Sequence, residues 1–100
     1  MNMQPSREFL VRLASKYIWW KTPTEAIQTP ERVIAQAMTI GTYDDLQALS
    51  TEVGDAYLRD VLGHAEIGVF NERSWSYWHY RLGLTSPGDE IPAMPTRQIG

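Results

Sequence analysis

The sequence has no cysteine and only two histidines, His64 and His79. The absence of cysteine excludes disulfides and thiolate metal ligands, so the core has to be stable without crosslinks, as is usual in a reducing cytosol. A metal site needs three or four converging ligands, and a histidine between Asp60 and Glu66 is too weak a pattern to indicate one. We therefore expect no metal site and no cofactor.

Long apolar runs are also missing. No stretch approaches the roughly 20 apolar residues that a membrane-spanning helix needs. At the N-terminus, where a secretion signal would have its apolar segment, charged side chains interrupt the sequence: Arg7, Glu8, Arg12 and Lys16. These absences predict a soluble, cytoplasmic protein that does not enter a membrane.

The sequence contains none of the patterns that assemble common catalytic sites. It has no glycine-rich loop that would bind phosphate and no G-x-S-x-G turn that would carry a nucleophilic serine. Asp44 and Asp45 are adjacent carboxylates, but their position near the start of a predicted helix explains them by helix capping. We expect a protein that is not an enzyme.

The patterns that are present are helical. A chain of 100 residues has the usual length of one domain, and no alternating run long enough for a strand is present. We predict an all-α fold, a compact single domain of about five short helices over residues 1–84. Residues 85–100 contain three prolines and two glycines, which predicts an extended or flexible C-terminal tail.

Helix signals divide the first half of the chain into three elements. Apolar residues at helical spacing form the stripe of a first helix: Phe9, Leu10, Leu13, Tyr17 and Trp20. Threonine–proline pairs at 22–23 and 29–30 each offer an N-cap followed by proline at the first helical position. They predict a short turn over 23–28 and a longer helix from Pro30 to about Ile40, ended by Gly41. The buried stripe of that longer helix is predicted to be Val33, Ile34, Ala37 and Met38.

Similar signals divide the second half. Thr42 is a predicted N-cap of a helix that runs to about Val53, and Gly54 then interrupts the chain. Asp55 is predicted to cap the next helix, Asn71 to cap the last, and Gly83 to stop it. The side chains predicted to face inward on the two middle helices are Leu46, Leu49, Val53, Tyr57, Leu58, Val61 and Leu62.

The last helix carries a cluster of aromatic rings in the stretch SWSYWHYRLGL, residues 74–84. On a helix with 3.6 residues per turn, four of its side chains share one face: Trp75, Trp78, His79 and Leu82. We expect this face to lie in the core. The opposite face combines tyrosine with arginine, which is typical of protein interfaces, although a plain solvated surface also fits. The candidate partner-binding residues are the tyrosines and arginines of this opposite face, together with Trp19, which lies off the stripe of the first helix: Trp19, Arg73, Tyr77, Tyr80 and Arg81.

Charge is distributed unevenly. Residues 1–21 carry four basic side chains and one acid, a balance of +3, whereas residues 42–66 carry six acids and one arginine, a balance of −5. The basic segment favours an alternative function, a small nucleic-acid-binding regulator. Its residues would be Arg7, Arg12, Lys16 and Lys21, and Arg73 and Arg81 are candidates for further contacts. A homodimer is a further prediction, because four tryptophans in so short a chain can be covered by a second copy.

Four stretches together resemble a family of short bacterial proteins encoded beside nucleotidyltransferase-like toxins of the abortive-infection type. They are YIWWKTPTEAI at 17–27, PERVIAQAMTIGTYDD at 30–45, GVFNERSWSYWHYRLGL at 68–84 and IPAMPTR at 91–97. The resemblance implies an antitoxin-like protein whose partner is a nucleotidyltransferase-type toxin. It carries no functional residue over to this chain, so the candidate residues depend on the physical reasoning alone.

Overall fold

A computed structural model describes residues 5–95 as five α-helices joined by short connections. In chain order they are α1 (Arg7–Tyr17), α2 (Pro23–Ala26), α3 (Pro30–Ile40), α4 (Tyr43–Gly63) and α5 (Glu72–Arg81). Within these described residues there is no strand, so the prediction of an all-α fold is confirmed. The ends of the predicted domain and tail, residues 1–4 and 96–100, lie outside the described residues.

Local sequence signals start most of the helices. The Thr22 hydroxyl accepts a hydrogen bond from the Glu25 amide, 3.3 Å away, and the Thr42 hydroxyl accepts one from the Asp45 amide at the same distance. At α5 the bonding is reciprocal, because the Ser74 amide donates to Asn71 at 2.8 Å and the Asn71 amide donates to Ser74 at 3.2 Å.

Two of the predicted N-caps do not act as predicted. Thr29 occupies the N-cap position of α3, but its side chain makes no capping hydrogen bond. Of the two predicted start signals of α3, only the proline at the first helical position is therefore used. In α4 the non-helical residue is Gly54, with φ 79° and ψ 161°. Asp55 therefore lies in the first turn of the second half of α4 and does not cap it. The interruption itself lies where the sequence predicts it.

The core surrounds α3, which packs against α1, α2, α4 and α5. Every side chain of the predicted α3 stripe is buried. One predicted core residue of the first helix is not: Trp20 is 54% exposed. Because α1 ends at Tyr17, the helical spacing that would bring Trp20 onto the stripe no longer applies, and Ile18 is buried in its place.

The chain leaves α5 through a glycine turn. Gly83 has φ 71°, the Leu84 amide donates to the His79 carbonyl at 2.9 Å, and the Gly83 amide donates to the Tyr80 carbonyl at 3.2 Å. These two bonds form a Schellman motif, which ends the helix where the sequence predicts. Residues 85–95, called the C-terminal arm below, have no helix or strand.

The C-terminal arm lies against the helices. The Trp75 indole nitrogen donates a hydrogen bond to the Pro92 carbonyl at 2.7 Å, and the side chains of Ile91 and Met94 pack partly buried against the core. Over the described part of the chain, no helix has the length and apolar character required to cross a membrane.

Candidate functional site

The two faces of α5 have different environments. Trp75, Trp78, His79 and Leu82 are buried, which confirms the predicted core face. The Nδ1 atom of His79 lies 2.7 Å from the Trp75 carbonyl oxygen. Because a carbonyl oxygen only accepts, Nδ1 carries the proton in this hydrogen bond. The buried rings of α5 therefore pack this helix against the core.

The other face of α5 is open to solvent. Tyr77 and Tyr80 are 40% and 44% exposed, Arg73 is exposed, and Arg81 is half-buried. Among residues 5–95, Arg73 makes no ion pair. Of the candidate residues on this face, none is enclosed in the core.

Arg81 differs from Arg73 because its guanidinium is held by other side chains of the chain. It donates to the Tyr77 hydroxyl at 2.6 Å and to Gln47 and Ser50, each at 3.0 Å. It also lies over the Trp78 ring, 5.2 Å from the ring centroid. Gln47 and Ser50 belong to α4, so Arg81 connects α5 to α4.

Arg73 and Tyr77 line a groove that the α3–α4 corner completes. Ile40, Tyr43 and Leu46 also line it, and the groove has a volume of about 480 Å³. Tyr43 is 70% exposed, and Ile40 is also exposed. We call this depression, with two tyrosines, two aliphatic side chains and one arginine, the tyrosine groove. The structure thus brings together two of the five predicted residues and adds three others.

Trp19 and Tyr80 are not among the residues that line the tyrosine groove. Trp19 lies in the connection from α1 to α2, is 82% exposed and packs edge-on against Trp20, with ring centroids 5.6 Å apart. Trp20 itself lines a separate depression together with Lys21 and Arg32. Trp19 is therefore an exposed aromatic residue at a second place on the surface.

Ile40 and Tyr43 were not predicted as site residues. Ile40 is the last residue of α3. It lies seven positions after Val33 and three after Ala37, so its spacing matches the buried stripe and gave no signal of its exposure. Tyr43 directly follows the capping Thr42, at the first position of α4, and a large ring at that position has little core to pack against. Of the two, Tyr43 is thus the one that its sequence position could have indicated.

A polar network joins α1 to the start of α4. The Tyr17 hydroxyl accepts from the Thr42 amide at 3.1 Å and donates to Asp45, and Lys16 forms an ion pair with the same carboxylate at 2.7 Å. The hydrogen bond from Lys16, followed by that from Tyr17, lowers the pKa of Asp45 below its ordinary value. Part of the basic N-terminal segment is therefore paired with the acidic segment.

The ionisable groups of the described residues do not converge on a metal-binding cluster. Across residues 5–95, no group of three or more histidine, aspartate or glutamate side chains could hold a metal ion. His64 is exposed, and its Nδ1 atom lies 2.9 Å from the Asp60 carbonyl oxygen. The tyrosine groove offers shape, aromatic surface and one cation.

Neither a protein-family model, nor a curated protein, nor a solved structure matches the chain.

Proposed function

We propose that the chain is a non-catalytic protein-binding module, an antitoxin-like partner of a nucleotidyltransferase-type toxin in the cytoplasm. The observation that carries the binding role is the tyrosine groove. Tyr43 and Ile40 expose apolar surface beside Tyr77 and Arg73, and aromatic residues and arginine contribute most to protein interfaces. The identity of the partner class depends on the family resemblance.

The groove is suited to a protein partner because three helices contribute its walls. It lies where the end of α3, the start of α4 and the start of α5 meet. Met38 also lines it, and the Met38 carbonyl accepts the buried Trp78 indole bond at 2.8 Å. Backbone that is already ordered in helices loses little conformational entropy when a partner binds.

The charge at the groove indicates what the partner presents. Arg73 lines it and makes no ion pair with the residues of 5–95. A carboxylate on the partner would accept charge-assisted hydrogen bonds from this guanidinium. We expect the partner to insert an apolar side chain between the two tyrosines and to place an acidic side chain beside Arg73.

The nucleic-acid alternative has less support. Of its four N-terminal basic residues, Lys16 is paired with Asp45, and Arg12 lies over the Phe9 ring, 5.3 Å from the centroid. Contact with phosphates supplies most of the non-specific affinity for nucleic acid, and a lysine already paired contributes less to it. A titration with single-stranded DNA or RNA at low salt separates the two functions, because we expect no binding.

Co-expression tests the proposal directly. The chain is produced with a tag, together with the nucleotidyltransferase-type protein of the adjacent gene, and purified by that tag. We expect the two proteins to co-purify and the toxicity of the second protein to be relieved. The absence of such a neighbour, or the absence of a complex, would contradict the proposed partner.

Point variants locate the contact. Tyr43→Ala and Arg73→Ala should each weaken the complex by at least about tenfold, the size of an interface hot spot, without unfolding the chain. Tyr80→Ala is the control, because Tyr80 is also an exposed tyrosine but does not line the groove. If all three variants bind the partner with the affinity of the wild type, the contact lies elsewhere on the chain.

A further inference from the structure

Two depressions on the surface meet at an ion pair. Arg32 and Glu66 line both depressions, and a guanidinium nitrogen of Arg32 lies 2.9 Å from a carboxylate oxygen of Glu66. The first depression, with a volume of about 230 Å³, extends to Trp20 and Lys21. The second, with a volume of about 350 Å³, extends to Asp60 and its neighbours on α4. Because they share these residues, the two depressions form one continuous surface.

The two depressions carry opposite charges. Beyond the shared ion pair, the first has the exposed Lys21, which forms no ion pair with any residue of 5–95. The second has two exposed carboxylates, Glu31 and Asp60. Glu31 is likewise unpaired within residues 5–95, and Asp60 approaches His64 at 3.4 Å. We call them the basic depression and the acidic depression.

The two depressions also differ in their apolar residues. Trp20 lines the basic depression and is 54% exposed. The apolar residues that line the acidic depression are smaller, namely Ala35, Val61, Ala65 and Val69. Tryptophan contributes strongly to protein interfaces when its ring fills a pocket on the partner. The basic depression therefore offers a large ring, and the acidic depression offers a pocket with small apolar walls.

We propose that two copies of the chain form a dimer through this surface, about a twofold axis that passes near the Arg32–Glu66 ion pair. In a twofold interface, the same surface of each copy meets its equivalent on the other copy. The Trp20 ring of each copy enters the acidic depression of the second copy, and Lys21 lies beside the two carboxylates there. At the axis, Arg32 of each copy approaches Glu66 of the other.

Charge complementarity identifies a second copy as the occupant. A surface with one sign of charge on each side of a shared border matches itself after a rotation of 180°, so one contact neutralises both depressions. The tyrosine groove shares no lining residue with either depression. Each copy therefore keeps its own tyrosine groove, and the dimer presents two of them.

Sedimentation equilibrium of the full chain over a range of concentrations measures the assembly. We expect the mass to reach twice the chain mass of 11.4 kDa and to stay there, because a twofold interface closes after two copies. A monomer at every concentration would overturn the proposal. A mass that continues to grow would overturn the twofold arrangement.

Reversed charges test which depressions meet. One variant carries Lys21→Glu, and the other carries Glu31→Lys together with Asp60→Lys. Each variant alone should dimerise at least about tenfold more weakly than the wild type, because like charges then face each other. An equal mixture should regain the dimer, since every reversed charge meets its opposite. Unchanged dimerisation of either variant, or monomers in the mixture, would overturn the proposal.

Control variants separate this contact from general effects. Arg7→Glu and Glu52→Lys reverse the same charges at exposed positions that line neither depression, and they should not change dimerisation. Trp20→Ala should weaken the dimer at least about tenfold, with circular dichroism as the check on folding. If the charge controls weaken the dimer as much, net charge is the cause and the proposal fails. Tyr43→Ala should leave the dimer intact, so loss of the toxin complex and loss of the dimer remain distinguishable.

Discussion

The indole nitrogen of Trp78 donates a hydrogen bond to the carbonyl oxygen of Met38, 2.8 Å away, and so joins α5 to the end of α3. Trp78 is fully buried, with 0% of its surface exposed, and Met38 is buried beside it. Since Met38 also lines the tyrosine groove, this contact holds two walls of the groove together. The core and the proposed binding surface therefore share a residue.

Trp78→Phe should reduce the free energy of unfolding by about 2–3 kcal/mol, because it removes a buried hydrogen bond and leaves unfilled volume in the core. Urea denaturation monitored by circular dichroism measures this loss. Trp19→Phe is the control, since Trp19 is largely exposed and its replacement should change stability by no more than about 0.5 kcal/mol. Similar losses for the two variants would mean that the buried indole bond adds nothing.

Asp45→Asn should destabilise the protein at neutral pH and much less in acid. The hydrogen bond from Lys16, followed by that from Tyr17, lowers the pKa of Asp45 in the folded state. A group whose pKa is lowered by folding stabilises the protein above its unfolded pKa, about 3.9 for aspartate. This stabilisation is lost as the pH falls through the folded pKa.

Urea denaturation of the wild type and of Asp45→Asn between pH 7 and pH 2.5 measures this dependence. The difference in free energy of unfolding should be constant above about pH 5 and should close at the acid end. Asp44→Asn removes the same charge from an exposed neighbouring position and serves as the control. A difference that stays constant to the lowest pH would exclude the ionised carboxylate as its source.

Gly54→Ala and Gly63→Ala should have opposite effects. Gly54 has φ 79° and ψ 161°, a region that side-chain-bearing residues rarely adopt, so alanine should cost about 1–3 kcal/mol. Gly63 has no positive φ, and a Cβ added there meets nothing within 4 Å. Alanine should stabilise the end of α4 by about 0.5–1 kcal/mol. Thermal unfolding gives both signs, and a stable Gly54→Ala variant would mean that the break in α4 is not required.

Arg81→Ala and Arg73→Ala remove the same charge from the same helix but should differ in stability. Arg81 bonds to Gln47, Ser50 and Tyr77, so its loss should cost about 1–2 kcal/mol. Arg73 makes no ion pair within residues 5–95, so its loss should cost less than about 0.5 kcal/mol. The melting temperatures of the two variants measure the difference. The reverse order would mean that Arg73, and not Arg81, holds α5 in place.

Prediction from the sequence was accurate where the signal is local. Thr42 and Asn71 cap the helices that their sequence positions indicate, and Gly83 ends α5. These signals act over one helical turn, and the rest of the chain has little effect on them. Trp20 shows the limit of this reasoning, because its place on a stripe assumed that α1 continued past Tyr17.

The division of α5 into a buried and an exposed face was also predicted, because four large side chains recur there at helical spacing. The roles of the exposed residues were not. Arg73 and Arg81 have the same side chain, and only their neighbours distinguish them. Gln47 and Ser50, two of the groups that hold Arg81, come from α4, whose position relative to α5 leaves no pattern in the sequence.

The sequence by itself determined that the chain is helical, where most helices begin and end, and which sides of α3 and α5 are buried. Caps, glycines and apolar spacing act between residues a few positions apart, so they can be read along the chain. The tertiary structure alone decided that Tyr43 and Tyr77 line one groove, that Arg81 is held by α4, and that Pro92 lies against Trp75. Each of these depends on contacts between distant parts of the chain, such as that of Trp78 with Met38, 40 positions apart. Their geometry follows from how the helices pack together in space.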